Sequence, residues 1–143
     1  MAEKKAKQPM EPAAYREFLN QVELEAILLD TCTFKTNRDK IGSNLKLDIK
    51  HNATYTIDEE NVASIRSSYD LTATKTTKKD FALKAACVYR VMLSSERPLT
   101  DDFLEIFTRV NIQMNTWPYF REFIQSMFQR AGFPPLTLPL LRR

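Results

Sequence analysis

Apolar and polar residues alternate with a period of two along the middle of this chain. Over residues 63–73, and again over residues 81–93, the odd positions are mostly apolar and the even positions are mostly polar or mixed. Such alternation predicts two strands that each bury one face, and residues 74–80 between them are typical of a hairpin loop.

Two earlier segments carry the same signal over shorter stretches. The alternating apolar positions are Val22, Leu24, Ala26 and Leu28 in the first segment and Leu45, Leu47 and Ile49 in the second. High strand propensity extends the first to residue 34, and Tyr55 and Ile57 are placed to extend the second. The polar residues 35–44 are predicted to form the loop between them.

The hydrophobic period changes to that of a helix in the last third of the chain. Thr100 or Asp101 is predicted to cap a first helix, and residues 115–117 are predicted to interrupt it. Pro118 then suits the first position of a second helix, for which Gly132 is a left-handed stop. Strands first and helices last favour an α+β fold with an antiparallel sheet.

The length of 143 residues fits a single domain, assigned to residues 13–143, behind a flexible basic tail over residues 1–12. The domain is predicted to open with a short helix at residues 13–20. No stretch approaches the roughly 18 apolar residues of a membrane span, and no apolar stretch follows the N-terminal lysines. A cytoplasmic protein without membrane insertion is therefore expected.

The sequence offers little reactive chemistry. Cys32, Cys87 and His51, its only cysteines and histidine, stand apart from one another, so no metal site is expected. Both cysteines are predicted to be buried and His51 to lie at the surface. The two glycines cannot form a phosphate-binding loop. The acidic pairs Glu59-Glu60 and Asp101-Asp102 are adjacent in sequence, so their side chains point to different faces and do not suit acid–base catalysis. We expect neither enzymatic activity nor a cofactor.

The net charge of +3 is mild, and one basic cluster falls on a predicted folded element. Lys75, Lys78 and Lys79 belong to the predicted hairpin loop, where lysines and threonines are common at the solvated tip. Nucleic-acid binding uses a basic stripe on a folded element, and three lysines at the tip of a loop do not form one. We therefore do not expect nucleic-acid binding.

The helix that follows Pro118 has more apolar surface than one core contact requires. Two adjacent rows of apolar residues together cover more of the helix surface than the arc of about 100° that a single contact needs. One row is Phe123, Met127 and Ala131, and the other is Phe120, Ile124 and Phe128. The tail after Gly132 is apolar, and its prolines exclude a helix. Two interpretations stay open: the tail closes the protein's own core, or it lines a groove or a subunit contact.

Two motifs in this region resemble the SecB chaperone family. Trp-Pro-Tyr-Phe-Arg-Glu-Phe-Ile at residues 117–124 is similar to the start of that family's long helix. Arg-Ala-Gly-Phe-Pro-Pro-Leu-Thr-Leu-Pro at residues 130–139 is similar to its Gly-Phe-Pro-Pro-Leu-x-Leu segment. Residues 45–49 resemble the strand after its crossover loop. The resemblance spans about residues 20–139 and implies a four-stranded antiparallel sheet with a long C-terminal helix.

The resemblance also implies a function and an assembly. It implies an ATP-independent holdase that assembles as a homotetramer, a dimer of dimers. An unfolded client polypeptide is then expected to contact a groove lined by Leu47, Ile49, Phe81, Phe133, Leu136 and Leu138. The oligomer interface is expected to involve Tyr119, Phe120, Phe123, Ile124, Met127 and Phe128.

The chain departs from the family's export chaperone in two ways. It ends at Arg143, before that protein's second helix and SecA-contacting tail, and its hairpin loop is basic where that protein's loop is acidic. Both departures weigh against SecA binding. Shortened members of the family serve toxin–antitoxin systems, so an antitoxin is the expected client. A secretory preprotein is the alternative client, and an oligomeric interaction protein without a client is a further alternative.

Overall fold

Four long antiparallel strands form a single sheet. The computed structural model describes residues 10–41, 45–75, 81–134 and 136–139. The strands are β1 (Val22–Thr36), β2 (Leu45–Glu59), β3 (Val62–Lys75) and β4 (Phe81–Ser95). Their order is β1-β4-β3-β2, and every neighbouring pair is antiparallel. This confirms the predicted α+β class and the four-stranded sheet, and β2 includes the extension through Tyr55 and Ile57.

The alternation in β3 and β4 gives the sheet one buried face. Ile65, Tyr69 and Leu71 of β3, with Leu83 and Val91 of β4, are almost fully buried. The even-numbered residues of both strands, apart from Ala82, are half-buried or exposed. Because successive side chains point to opposite faces, the period-two pattern was sufficient to predict which face packs against the helices.

The edge strand β1 departs from simple alternation. Its register with β4 shifts between Leu24 and Ala26 and again between Leu29 and Thr31. A bulge moves the following side chains to the other face of the sheet. Leu24 therefore lies opposite the core residue Leu93, whereas Ala26 lies opposite Met92 on the outer face. The prediction of one shared face for the alternating positions of β1 is wrong beyond Leu24.

The two cysteines lie directly opposite each other on β1 and β4. Cys87 is buried, as predicted, and burial raises the pKa of its thiol to about 12. Cys32 is exposed, so the prediction that it is buried is wrong. It lies on the edge strand, where packing is less complete than in the interior of the sheet.

Three α-helices, a π-helical turn and a short 3₁₀ turn at Arg38–Lys40 complete the described fold. The α-helices are α1 (Pro12–Leu19), α2 (Asp101–Ile106) and α3 (Ile112–Arg130), and the π turn is Phe107–Asn111. Thr100 caps α2 as predicted, since its side chain accepts a hydrogen bond from the Phe103 N–H.

The predicted interruption before Pro118 is wrong, because Pro118 lies inside α3. A proline in a helix removes the hydrogen bond to the carbonyl four residues earlier, which here belongs to Met114. Both residues lie on the exposed side of α3, where water can satisfy that carbonyl. Trp117 and Phe120 are buried on the other side, and their packing favours a continuous helix.

Two apolar clusters share the buried face of the sheet. The α1–α2 cluster includes Phe18, Ile65, Val91, Leu93, Phe103, Leu104, Phe107 and Ile112. The α3 cluster includes Tyr69, Leu71, Leu83, Cys87, Tyr89, Trp117, Phe120, Ile124, Phe128 and Leu138. The first packs under α1, α2 and the π turn, and the second packs under α3 and the segment after it.

Some predictions concern residues outside the described ranges. The flexible tail assigned to residues 1–12 lies almost wholly outside them, and so do residues 76–80 of the hairpin loop, including Lys78 and Lys79. Lys75 is the last residue of β3. Among the described helices, none combines the length and apolarity that a membrane crossing requires.

Candidate functional site

A half-exposed apolar rim borders the α3 cluster. It consists of Leu45, Leu47 and Ile49 of β2 with Phe133 and Leu136 of the segment after α3. Each of these side chains packs against the cluster on one side and remains partly open to solvent. Four of the residues predicted to contact a client, Leu47, Ile49, Phe133 and Leu136, thus border the same cluster.

The other two predicted client contacts lie elsewhere. Leu138 is only 1% exposed and belongs to the α3 cluster, so in this conformation it supports the rim and cannot touch a ligand. Phe81 is the first residue of β4 and lies beside Lys84, whose Nζ is 4.6 Å from the centre of the Phe81 ring. Phe81 is not among the residues that pack on the α3 cluster.

A glycine turn directs the chain from α3 into the rim. Gly132 has φ of 75°, as its predicted role as a left-handed stop requires. Its N–H donates to the Gln129 carbonyl at 3.1 Å, and the Phe133 N–H donates to the Phe128 carbonyl at 3.0 Å. The rings of Phe128 and Phe133 meet edge to face, with centroids 5.8 Å apart. This Schellman motif fixes where Phe133 enters the rim.

The segment after the turn forms a strap that runs back along α3. The strap is residues 133–139, of which Pro135 is not described. Trp117 Nε1 donates to the Pro139 carbonyl at 2.9 Å, and Arg121 Nε donates to the Leu138 carbonyl at 2.7 Å. These two bonds hold the end of the strap against the middle of α3. Leu138 closes the core, as the first interpretation of the tail expects, and Phe133 and Leu136 face outward in part.

Arg38 joins the crossover between β1 and β2 to the end of α3. It begins the short 3₁₀ turn Arg38–Lys40, and its Nη2 donates to the Ala131 carbonyl at 3.0 Å. Its guanidinium carbon lies 5.0 Å from the centroid of the Phe133 ring, within the range of a cation–π interaction. A charged group thus sits at one end of the apolar rim.

A chain of hydrogen-bonded side chains runs from β2 through β3 to α3. His51 Nε2 lies 2.8 Å from Ser67 Oγ, which lies 3.0 Å from Thr116 Oγ1, and Tyr69 Oη lies 2.8 Å from the same Thr116 oxygen. Thr116 donates its proton to the Ile112 carbonyl at 2.9 Å. We therefore assign Ser67 as donor to Thr116 and His51 Nε2–H as donor to Ser67.

The contact between His51 and Ser67 is structural. Ser67 is 0% exposed, so no substrate can reach its hydroxyl. Burial lowers the pKa of His51 and raises the pKa of Tyr69 to about 12, so both are neutral near pH 7. The prediction that His51 is a surface histidine is wrong, because its ring is half-buried and packs against Tyr69 with centroids 4.6 Å apart.

The residues predicted for the oligomer interface divide between two sides of α3. Phe120, Ile124 and Phe128 are buried against the protomer's own sheet and are not free to meet another chain. Tyr119 is 50% exposed, and Phe123 and Met127 are half-buried. Other exposed apolar side chains are Leu24, Leu28 and Leu29 of β1 and Met114 of α3.

A solved structure with the same architecture is the SecB-like chaperone Rv1957 of Mycobacterium tuberculosis, in complex with a ChAD peptide from the HigA1 antitoxin. It superimposes with a TM-score of 0.75 at 19% sequence identity, over 88% of this chain and 95% of that chain. This chain has a SecB-like fold.

Other comparisons add little to the SecB-like assignment of the fold. A protein of unknown function from Streptococcus agalactiae has a TM-score of 0.44 at 11% identity, over 84% of this chain and 98% of that chain, and supports no conclusion. No protein-family model matches the sequence. No curated protein matches it either.

Proposed function

We propose that this protein is an ATP-independent, SecB-like chaperone of the cytoplasm that holds unfolded polypeptide segments. The observation that carries the proposal is the apolar rim, in which β2 and the strap leave aromatic and aliphatic side chains half-buried in the protomer. Covering such surface with apolar client side chains is favourable by about 25 cal/mol per Å². The protein needs no nucleotide for this step.

The free edge of β2 supports an extended conformation for the client. β2 is the last strand of the sheet, and among the described residues it pairs only with β3. Its register is regular from Leu45 to Ile57, whereas β1, the opposite edge, carries two bulges. Since bulges obstruct pairing with a further strand, β2 is the better edge for main-chain hydrogen bonds with a client.

An antitoxin is the client that we propose, and a secretory preprotein is the alternative. The proposal is supported by the antitoxin peptide bound to the structural neighbour, together with the basic character of the hairpin loop. Genes for a toxin and an antitoxin beside the gene of this protein would support the first client. Binding of SecA by the purified protein and rescue of preprotein export would support the second.

An aggregation assay tests the holdase function. Chemically unfolded polypeptide is diluted into buffer with the protein, and light scattering reports its aggregation. We expect the wild type to suppress scattering, Leu47→Asp to lose most of this effect, and Thr54→Asp to retain it. Thr54 is exposed on the opposite face of the same strand, so it controls for the added charge. If the wild type keeps no unfolded polypeptide soluble, the proposal is wrong.

We further propose that the protein acts as a homotetramer and is not an enzyme. Exposed Tyr119, Leu24 and Leu29 support an oligomer, because apolar surface of this kind is characteristic of subunit contacts. Tyr119→Glu is expected to reduce the mass measured by light scattering while the circular dichroism spectrum stays native. An unchanged mass would show that the assembly does not depend on Tyr119.

A further inference from the structure

Arg38 is held in place at the end of the apolar rim by contacts on both sides. The preceding residue, Asn37, donates its backbone N–H to the Ala82 carbonyl at 2.8 Å, which ties the crossover to β4. The Arg38 side chain donates to the Ala131 carbonyl and lies over the Phe133 ring. A guanidinium fixed at two points loses less conformational entropy on binding a ligand than a free arginine does.

The charge of Arg38 is not balanced within the described part of the chain. Arg90 pairs with Asp30 at 3.1 Å, but no carboxylate of the described residues pairs with Arg38. A guanidinium carries five N–H donors and is always protonated, and the structure assigns one of these donors to the Ala131 carbonyl. The remaining donors and the positive charge are available beside Phe133, one of the side chains proposed to contact the client.

We propose that Arg38 binds a carboxylate of the client and thereby selects apolar segments that carry an acidic group near the residue seated on Phe133. The inference rests on the proposed holdase function. Apolar contacts alone discriminate weakly among hydrophobic segments, whereas a positioned arginine fixes register and rejects a basic residue at the same place. The carboxylate comes either from an acidic side chain or from a chain terminus.

Binding of matched peptides tests this selection. Three labelled peptides share one alternating Leu-Thr core: one has a terminal Asp with an amidated end, one has Asn with an amidated end, and one has Asn with a free carboxylate. Fluorescence anisotropy gives each Kd for the wild type, Arg38→Gln, Arg38→Lys and Lys46→Gln. Lys46 is an exposed lysine next to Leu47, so it controls for loss of one positive charge.

We expect the wild type to bind the Asp peptide about 3- to 10-fold more tightly than the amidated Asn peptide, as an exposed charge-assisted contact allows. The ratio should fall to about 1 in Arg38→Gln, stay intermediate in Arg38→Lys and persist in Lys46→Gln, because the fixed guanidinium is its source. Tighter binding of the free-carboxylate peptide than of its amidated counterpart assigns the site to chain termini as well.

The outcomes separate this inference from the holdase proposal. If the wild type binds all three peptides equally, Arg38 does not select carboxylates, although the holdase function stands. If Lys46→Gln loses the preference for the Asp peptide as fully as Arg38→Gln does, the preference comes from the overall positive potential of the surface, and the inference is wrong. If no unfolded polypeptide or peptide binds the wild type, both proposals are wrong. If Arg38→Gln does not fold, Arg38→Lys decides instead. A preference for the Asp peptide over the amidated Asn peptide equal to that of the wild type would then contradict the inference.

Discussion

The α1–α2 cluster and the α3 cluster pack on the same face of one sheet but are covered differently. In the α1–α2 cluster, helices provide the cover, and Phe18 and Phe103 stack at 4.2 Å between centroids with no exposed surface. In the α3 cluster, one helix and an extended strap provide the cover. Around the strap, Leu47, Ile49 and Phe133 remain half-buried.

The difference follows from how each kind of cover satisfies its backbone. A helix makes its own hydrogen bonds and presents a wide apolar stripe, so α1 and α2 bury the centre of their cluster, although Tyr55 and Ile57 of β2 remain partly open at its border. An extended strap has no internal hydrogen bonds, and here it relies on donors from Trp117 and Arg121. Such a strap is narrow, so apolar surface remains at its border. The proposed binding surface is this incompletely covered part of the core.

The largest expected effects come from removing a ring from the centre of each cluster. Phe103→Ala and Phe120→Ala should each lower the free energy of unfolding by about 3–5 kcal/mol, because both rings are fully buried. Urea denaturation measures this loss. The native-state fluorescence of Trp117 then separates the two, since its ring centroid lies 6.0 Å from that of Phe120 and only Phe120→Ala should shift its emission. An equal shift in Phe103→Ala would show that the clusters do not behave as separate units.

Removing the buried leucine of the strap should have the next largest effect. Leu138→Ala is expected to cost about 2–5 kcal/mol and to free the strap from α3. Trp117 is the only tryptophan, and its indole donates to the strap, so its fluorescence should shift to longer wavelength on release. The matched control Leu136→Ala removes a half-buried side chain and should cost less. A similar fluorescence shift in the control would contradict the central role of Leu138.

Local sequence rules were sufficient to predict much of the fold. The alternation around Tyr69 and Leu83 predicted the buried faces of β3 and β4, because the period of a strand is fixed by its geometry. The glycine stop at Gly132 and the cap at Thr100 were also predicted, since both depend on residues within one helical turn. The residues of the rim, in contrast, were expected from the resemblance to the SecB family, and Leu47 and Phe133 border one cluster although they are far apart in the sequence.

The remaining features depend on contacts between distant residues. Arg38 and Ala131 are separated by 93 positions, and nothing around residue 38 in the sequence indicates where its side chain lies. The continuity of α3 through Pro118 depends on burial of Trp117 and Phe120 against the sheet, which overrides the local preference. The path of the strap likewise depends on Trp117 and Arg121, which lie 22 and 17 positions from the residues whose carbonyls they bind.

A smaller effect is expected from the turn that starts the strap. Gly132→Ala places a Cβ where no atom lies within 4 Å, so the cost comes from the φ of 75° alone. About 1–2 kcal/mol is expected, because an L-residue is strained in the left-handed conformation. Gly132→Asn is the matched control and should cost less, since asparagine tolerates this conformation. Urea denaturation measures both. An equal cost for the two variants would indicate a steric conflict, contrary to the open space in the structure.

The smallest effect is the pH dependence that His51 gives to the α3 cluster alone. Burial lowers its pKa below the ordinary value of 6.5, so the unfolded chain binds a proton more readily than the folded chain does. The stability from neutral His51 is therefore complete above about pH 6.5 and is lost as the pH falls toward its folded pKa. Tyr69, which the ring of His51 faces, stays neutral throughout this range because its pKa is about 12. Urea denaturation of the wild type and His51→Gln from about pH 8 to about pH 5 isolates this contribution from that of the carboxylates. The wild type should lose more stability than His51→Gln on acidification, and hydrogen exchange should place the excess loss in β2. Identical pH profiles, or an excess loss confined to the α1–α2 cluster, would rule out His51 as the source.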